Sequence, residues 1–156
     1  MASEARAFVD TNVLLYAYDA SETVKQPVAR ATLERLWGDR NGAVSTQVLA
    51  EFYNAATRKL DPPMSRAGAR EIIALYTAWP VIVLEPALIL AATRIEEEHQ
   101  LSLWDALVIE AARVAGAERL LTEDLQHGQV IGGVRIENPF RIQALAADSS
   151  STPGSS

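Results

Sequence analysis

The chain lacks cysteine altogether, has two histidines, and its only lysines are Lys25 and Lys59. Without cysteine it cannot contain a disulfide framework, a zinc–thiolate site or a cysteine nucleophile, and this composition fits a reducing cytoplasm. It also lacks the run of about 18 apolar residues that a membrane span needs, and its first residues (MASEAR) carry acid early, unlike a secretion signal. We therefore expect a soluble cytoplasmic protein with no membrane association.

Positive charge is scarce as well. The sequence has 14 Lys+Arg against 20 Asp+Glu, a formal net charge of -6. This balance argues against a broad basic surface that holds nucleic acid by neutralising phosphates. A nucleic-acid enzyme with this charge needs another arrangement, such as acids clustered around a divalent cation that receives the phosphate.

The 156 residues, 49% of them hydrophobic, suit one folded domain. Short apolar runs alternate with longer segments of helical spacing. The predicted strands are Arg6–Asp10, Gly42–Ser45, Val81–Leu84 and Arg119–Thr122, and the predicted helices are Thr23–Arg40, Thr46–Leu60, Ser65–Ala78, Pro86–Gln100 and Leu103–Ala115. This alternation predicts an α/β fold, with a central, mostly parallel sheet flanked by helices.

The predicted domain spans residues 1–145. Residues 146–156 (AADSSSTPGSS) have almost nothing to bury, so we expect a disordered tail there. Helix limits are indicated by Ser45, Ser65 and Ser102 as N-caps, and by Gly38, Gly42 and Gly116 as stop positions. Trp37, Trp79 and Trp104 lie in or beside apolar stripes and are expected to pack in the core rather than stack on bases.

Two acids stand where predicted strands end. Asp10 closes the first strand, and Asp124 follows the strand Arg119–Thr122. Sites in open parallel α/β sheets form beyond the carboxyl ends of the strands. Each acid, taken alone, equally fits a turn or helix-cap residue, because Asp-Thr-Asn and Thr-Glu-Asp both open helices well.

Two more acids lie on predicted helices beside the core. Asp105 belongs to an almost entirely apolar helix and has no partner on that helix, although a capping box with Ser102 would also explain it. Glu51 flanks the apolar stripe of its helix, where a solvated helix edge is the simpler interpretation. Together the four acids suggest convergence over one sheet edge. Close carboxylates repel and need a cation, and oxygen ligands alone favour Mg²⁺ or Mn²⁺ over zinc or copper.

Four blocks of this sequence together resemble the conserved blocks of PIN-domain ribonucleases, with the closest resemblance to VapC-type toxins of bacterial toxin–antitoxin pairs. The blocks are FVDTNVLLYAYD, STQVLAEFYNAATRK, LSLWDALVIEAA and LLTEDLQHGQ, and the resemblance runs from about Arg6 to Phe140. It implies a PIN-like three-layer sandwich, metal-dependent cleavage of RNA with Mg²⁺ or Mn²⁺, a homodimer, and inhibition by a small antitoxin protein that also binds DNA.

The resemblance also assigns roles to individual residues. It implies that Asp10, Glu51, Asp105 and Asp124 are the catalytic and metal-binding acids, with Thr11, Asn12 and Thr122 supporting them. Glu123 is acidic too and could take the place of Asp124.

Other functions stay open at this point. A housekeeping RNA-processing nuclease or a PIN-like domain that only binds RNA or a protein partner would share the fold, and a structure-specific DNA nuclease would share the architecture. A receiver or haloacid-dehalogenase-type phosphate-transfer domain would need a lysine after a late strand, which Lys25 and Lys59 do not supply. Nucleotide-binding glycine motifs are also missing.

Overall fold

Six strands form one sheet in the computed structural model, which describes residues 5–141. The strands are β1 Ala7–Val9, β2 Gly42–Ser45, β3 Val81–Ile82, β4 Arg119–Leu121, β5 Val130–Ile131 and β6 Val134–Glu137. Their order across the sheet is β3-β2-β1-β4-β6-β5, and every neighbouring pair is parallel except the antiparallel pair of β5 and β6. The predicted, mostly parallel sheet is confirmed.

The helices of this region lie in two layers. They are α1 Thr11–Tyr16, α2 Lys25–Asp39, α3 Thr46–Arg58, α4 Arg66–Tyr76, α5 Pro86–His99 and α6 Leu103–Val114. Helices α1 to α4 connect β1, β2 and β3, and right-handed crossovers place them on one face of the sheet. Helices α5 and α6 return the chain from β3 to β4 and lie on the other face. The contacts agree, because α1 packs on α2 and α3, α3 packs on α4, and α5 packs on α6. None of these helices is both long and apolar enough to cross a membrane.

The predicted elements are confirmed to within two residues, but three elements were missed. Helix α1 has only six residues, too few for apolar periodicity to reveal. Strands β5 and β6 are joined by Gly132 and Gly133, which have φ angles of 59° and 80°; a Gly-Gly pair is a known hairpin signal. The predicted tail lies outside the described residues.

The predicted N-caps are confirmed. The side chains of Ser45, Ser65 and Ser102 accept hydrogen bonds from the backbone at the starts of α3, α4 and α6. Gly116, with φ of 71°, follows the end of α6 as predicted. The prediction was wrong for the other two glycines. Helix α2 runs through Gly38 to Asp39, and its C-cap is Arg40, which adopts the left-handed conformation itself. Gly42 instead begins β2.

Gly42 is a glycine because Trp79 lies against it. A Cβ atom there would come within 2.6–2.7 Å of the Trp79 ring atoms. Trp79 is only 6% exposed and packs against Trp37 and Tyr76, so it has no room to withdraw. The predicted burial of Trp37 and Trp79 is confirmed, with Trp37 partly buried against the core.

We expect Gly42→Ala to lower the free energy of unfolding by about 1–3 kcal/mol, the usual cost of overpacking a filled core. Gly38→Ala is the matched control, because a Cβ at this position in α2 meets no atom within 4 Å. Alanine should stabilise the helix there by about 0.5–1 kcal/mol. Urea denaturation measures both. A Gly42→Ala protein as stable as the wild type would contradict the packing described for Trp79.

Candidate active site

The four predicted acids lie along one edge of the sheet, where β1 and β4 end. These neighbouring parallel strands are a topological switch point, because the chain leaves them toward opposite sides of the sheet. Asp10 follows β1, and Asp124 lies just beyond β4. Glu51 is in the second turn of α3, and Asp105 is the third residue of α6. All four acids therefore lie at the same edge of the sheet.

Asp10 is the most buried of the four acids, with 5% of its surface exposed. Its Oδ1 accepts a hydrogen bond from the Thr11 backbone N–H at 2.8 Å, so it also caps α1, and its Oδ2 accepts one from the Thr122 hydroxyl at 2.9 Å. Burial raises the pKa of Asp10 to about 7. The two hydrogen bonds oppose this shift, and the charges of Asp124 and Glu51 add to it.

Asn12 connects the β1 side of the site to the β4 side. Its amide nitrogen donates to the Thr122 hydroxyl at 3.1 Å and to Asp124 Oδ2 at 3.0 Å, and lies 3.5 Å from Asp10 Oδ2. Thr122 is fully buried, and its hydroxyl also accepts a bond from the Asp124 backbone N–H at 3.1 Å. Asn12 and Thr122 thus set the relative positions of Asp10 and Asp124.

Glu51 is exposed but held on both sides. Its Oε2 accepts from the Thr11 hydroxyl at 2.9 Å, and its Oε1 accepts from Gln47 Nε2 at 2.9 Å. The same Gln47 nitrogen lies 3.3 Å from the backbone oxygen of Trp104, at the start of α6. Gln47 therefore ties Glu51 to α6. It was missed from the sequence, although its position four residues before Glu51 on one helix face was a usable signal.

Asp105 is half-buried. Its backbone N–H donates to Ser102 Oγ at 3.1 Å, which is the N-cap bond predicted for Ser102. Burial raises the pKa of its carboxyl; the Ser102 side chain partly offsets the shift, and the charges of Asp124 and Glu51 raise it further. Asp10 and Asp105 are thus both repelled by the same two carboxylates. The four carboxylates therefore lie close enough to interact electrostatically.

Glu123 points to other partners. Its carboxylate forms an ion pair with Lys25 Nζ at 2.9 Å and a short hydrogen bond with the Tyr16 hydroxyl. Lys25 also lies over the rings of Tyr16 and Phe140, at 4.7 and 5.7 Å from their centroids. The Glu123 carboxylate thus contacts Lys25 and Tyr16, whereas the Asp124 carboxylate accepts from Asn12.

The residues at this edge have the chemistry of a hard-cation site. Carboxylate and hydroxyl oxygens are what Mg²⁺ and Mn²⁺ prefer. A cation would offset both the burial of Asp10 and the neighbouring carboxylate charges, which raise its pKa. In the side-chain positions seen for residues 5–141, however, no three acidic or histidine side chains are grouped tightly enough to hold one ion. The Asn12 amide lies between two of the acids, 3.5 Å from Asp10 Oδ2 and 3.0 Å from Asp124 Oδ2.

Trp104 corrects a sequence prediction. It was expected in the core, but 64% of its surface is exposed. The reason is its position in α6: the continuously buried part of this helix starts at Ala106, and Trp104 lies in the first turn, beside Asp105 at the edge of the site.

Comparison with known proteins agrees with this architecture. A family model described as PIN domain matches residues 7–131. No curated protein matches closely enough to count as a relative. The fold is similar to that of Mycobacterium tuberculosis VapC20, a sarcin-ricin loop cleaving toxin, with 24% identity over 73% of this chain and 86% of that one and a TM-score of 0.58.

Two further solved structures share the fold. One is a toxin–antitoxin complex from Klebsiella pneumoniae, with 18% identity, coverage of 85% of this chain and 97% of the other, and a TM-score of 0.63. The second is VapBC2 from Rickettsia felis bound to a fragment of its promoter DNA, with 19% identity, the same coverages and a TM-score of 0.58. At these identities the likeness establishes the three-layer fold.

Proposed function

Because this chain belongs to the PIN-domain family, we propose that it is an endoribonuclease that hydrolyses RNA phosphodiester bonds and depends on Mg²⁺ or Mn²⁺. The observation that carries the proposal is the convergence of Asp10, Glu51, Asp105 and Asp124 on one edge of the sheet, at its switch point. Carboxylates that repel one another do not stabilise the fold. Their chemistry fits a site that binds a divalent cation together with a phosphate group.

Each residue has a distinct part in this proposal. The four acids would hold the cation, which when bound supplies Lewis-acid stabilisation of phosphate charge and an activated water. Asn12 and Thr122 position Asp10 and Asp124 through the bonds described above, and Thr11 positions Glu51. With a pKa of about 7, the Asp10 carboxyl is only partly ionised near neutral pH, and a bound cation would favour its ionised form.

We further propose that the nuclease is the toxin of a toxin–antitoxin pair and works as a homodimer. The toxin role is supported by the similar structures, one of which is named as a toxin and another as a toxin–antitoxin complex. The homodimer is proposed from the resemblance to VapC-type toxins. An acidic site on a chain of net charge -6 suits a basic partner segment. An arginine from a small, DNA-binding antitoxin could pair with the acids and exclude the cation.

We expect chelation to abolish RNA cleavage, because no side chain in the described site is placed to replace a metal-bound water as nucleophile. Purified protein is incubated with mixed RNA in EDTA, then with added Mg²⁺ or Mn²⁺. Cleavage should be lost in EDTA and restored when the metal ion is added. EDTA saturated with Mg²⁺ beforehand controls for effects of the chelator itself. Undiminished cutting in free EDTA would rule out the metal-dependent mechanism.

A further inference from the structure

We propose that Trp104 is a stacking platform for an unpaired base of the RNA substrate, next to the bond that is cut. The inference rests on the proposed function, because it assigns a substrate contact to the same site. Stacking on Trp104 would select RNA with a single-stranded nucleotide at this position, which the acids themselves cannot do.

Exposure distinguishes Trp104 from the other two tryptophans. Trp37 and Trp79 pack against each other at 5.0 Å between ring centroids, and both contact Tyr76, at 5.3 and 4.8 Å. Trp104 forms no such ring contact with any aromatic residue in the region 5–141, and 64% of its surface is exposed. Leaving a tryptophan in water forfeits the free energy of burying a large apolar surface, so folding does not explain its presence there.

The position of Trp104 is fixed relative to the acids. It directly precedes Asp105 in the first turn of α6. Its backbone oxygen lies 3.3 Å from the Gln47 amide nitrogen, and the same nitrogen donates to Glu51 at 2.9 Å. These contacts fix the Trp104 backbone beside Asp105 and Glu51, so a nucleobase stacked on its ring would lie next to two of the four carboxylates, which is the positioning that catalysis requires.

The charge of the site favours a contact of this kind. Carboxylates repel the phosphates of RNA, and the chain has an excess of six acidic residues. Lys25 is already paired with Glu123, so it adds little positive potential. Stacking on an aromatic ring needs no charge, accepts every base and is worth about 1–3 kcal/mol per base. It requires an unstacked base, as found in single strands, loops and bulges.

Kinetics of Trp104 variants test the platform directly. With Mg²⁺ present and the best-cut RNA of a mixed pool as substrate, Trp104→Ala should raise KM about tenfold, equivalent to one stacking contact, with a smaller effect on kcat. Trp104→Phe should recover most of the loss, because a ring remains. Leu75→Ala is the matched control, since it removes another large apolar side chain, 52% exposed, from α4, and should leave KM unchanged.

Fluorescence gives a readout that does not depend on cleavage. In an Asp10→Asn background, oligouridine should quench the exposed indole, and a fully paired RNA duplex should not. The quenching should be lost in Asp10→Asn with Trp104→Phe, because the remaining tryptophans are in the core cluster. It should also change little with salt, unlike phosphate contacts.

The outcomes separate this inference from the proposed function. RNA cleavage by the wild type, combined with unchanged KM in Trp104→Ala and no quenching by oligouridine, would overturn the platform and leave the nuclease intact. Quenching without any cleavage by the wild type would support the platform and remove the proposed activity. Fluorescence that responds to a co-purified protein partner but not to RNA would overturn the platform in favour of a protein-docking residue.

Discussion

Asp10→Asn is expected to abolish RNA cleavage while raising the melting temperature of the metal-free protein at pH 8. The loss of activity should reach about a hundredfold or more, since a bound cation contributes several kcal/mol of charge stabilisation and each 1.4 kcal/mol is about tenfold in rate. The fold should survive, because asparagine caps a helix as well as aspartate does. Asp105→Asn should likewise lower RNA cleavage and raise the melting temperature of the metal-free protein.

The gain in stability follows from the pKa of Asp10. It is raised from 3.8 to about 7 by burial, so the native state binds the proton more tightly than the unfolded state. Stability therefore falls as pH rises from about 4 to about 7, and the full cost of the buried charge, on the order of 4 kcal/mol, is present above pH 7. Asparagine carries no charge and avoids this cost. The advantage of the variant should be largest at pH 8 and shrink toward pH 4.

Thermal melts in EDTA at several pH values measure this difference. A domain of this size shifts by about 2–4 °C for each 1 kcal/mol, so the gain at pH 8 should be several degrees. Asp39→Asn is the control: this aspartate is exposed at the end of α2, away from the site, and its loss should change neither cleavage nor the pH profile. If Asp10→Asn and Asp105→Asn both unfold, these acids are structural caps and the proposed site is wrong.

Local patterns were enough to predict where the acids fall along the fold. Asp10 closes an apolar run, and Asp124 follows another, and in a parallel sheet strand ends meet at one edge. Glu51 and Asp105 were placed on the correct helices by apolar periodicity. The α/β class and the five long helices were predicted in the same way, from apolar runs for the strands and apolar periodicity for the helices.

Contacts between distant segments were beyond a single sequence. The Thr11 hydroxyl reaches Glu51 across 40 positions of the chain, and Asn12 reaches Asp124 across 112. Such pairings depend on how helices pack on the sheet, which periodicity does not specify. The exposure of Trp104 was missed for the same reason: an aromatic residue in an apolar helix is expected to be buried, and only the three-dimensional arrangement shows that its first turn projects beyond the core.

Expression of this protein alone is expected to stop bacterial growth, and co-expression of a small co-encoded partner, the proposed antitoxin, is expected to restore it. This prediction rests on the family membership and on the acid cluster. Growth should stop because uncontrolled cleavage of RNA halts protein synthesis. A strain that expresses the wild type should arrest, and one that expresses Asp10→Asn at a matched level should grow. Growth curves and immunoblots of both strains provide the measurement.

The partner's mode of action can be tested in the same strains. If a basic side chain occupies the acid cluster, removal of that arginine from the antitoxin should abolish protection while the two proteins still associate through their other contacts. Equal growth of the wild-type and Asp10→Asn strains, with folded protein in both, would instead favour an RNA-processing nuclease or a PIN domain that binds RNA without cutting it.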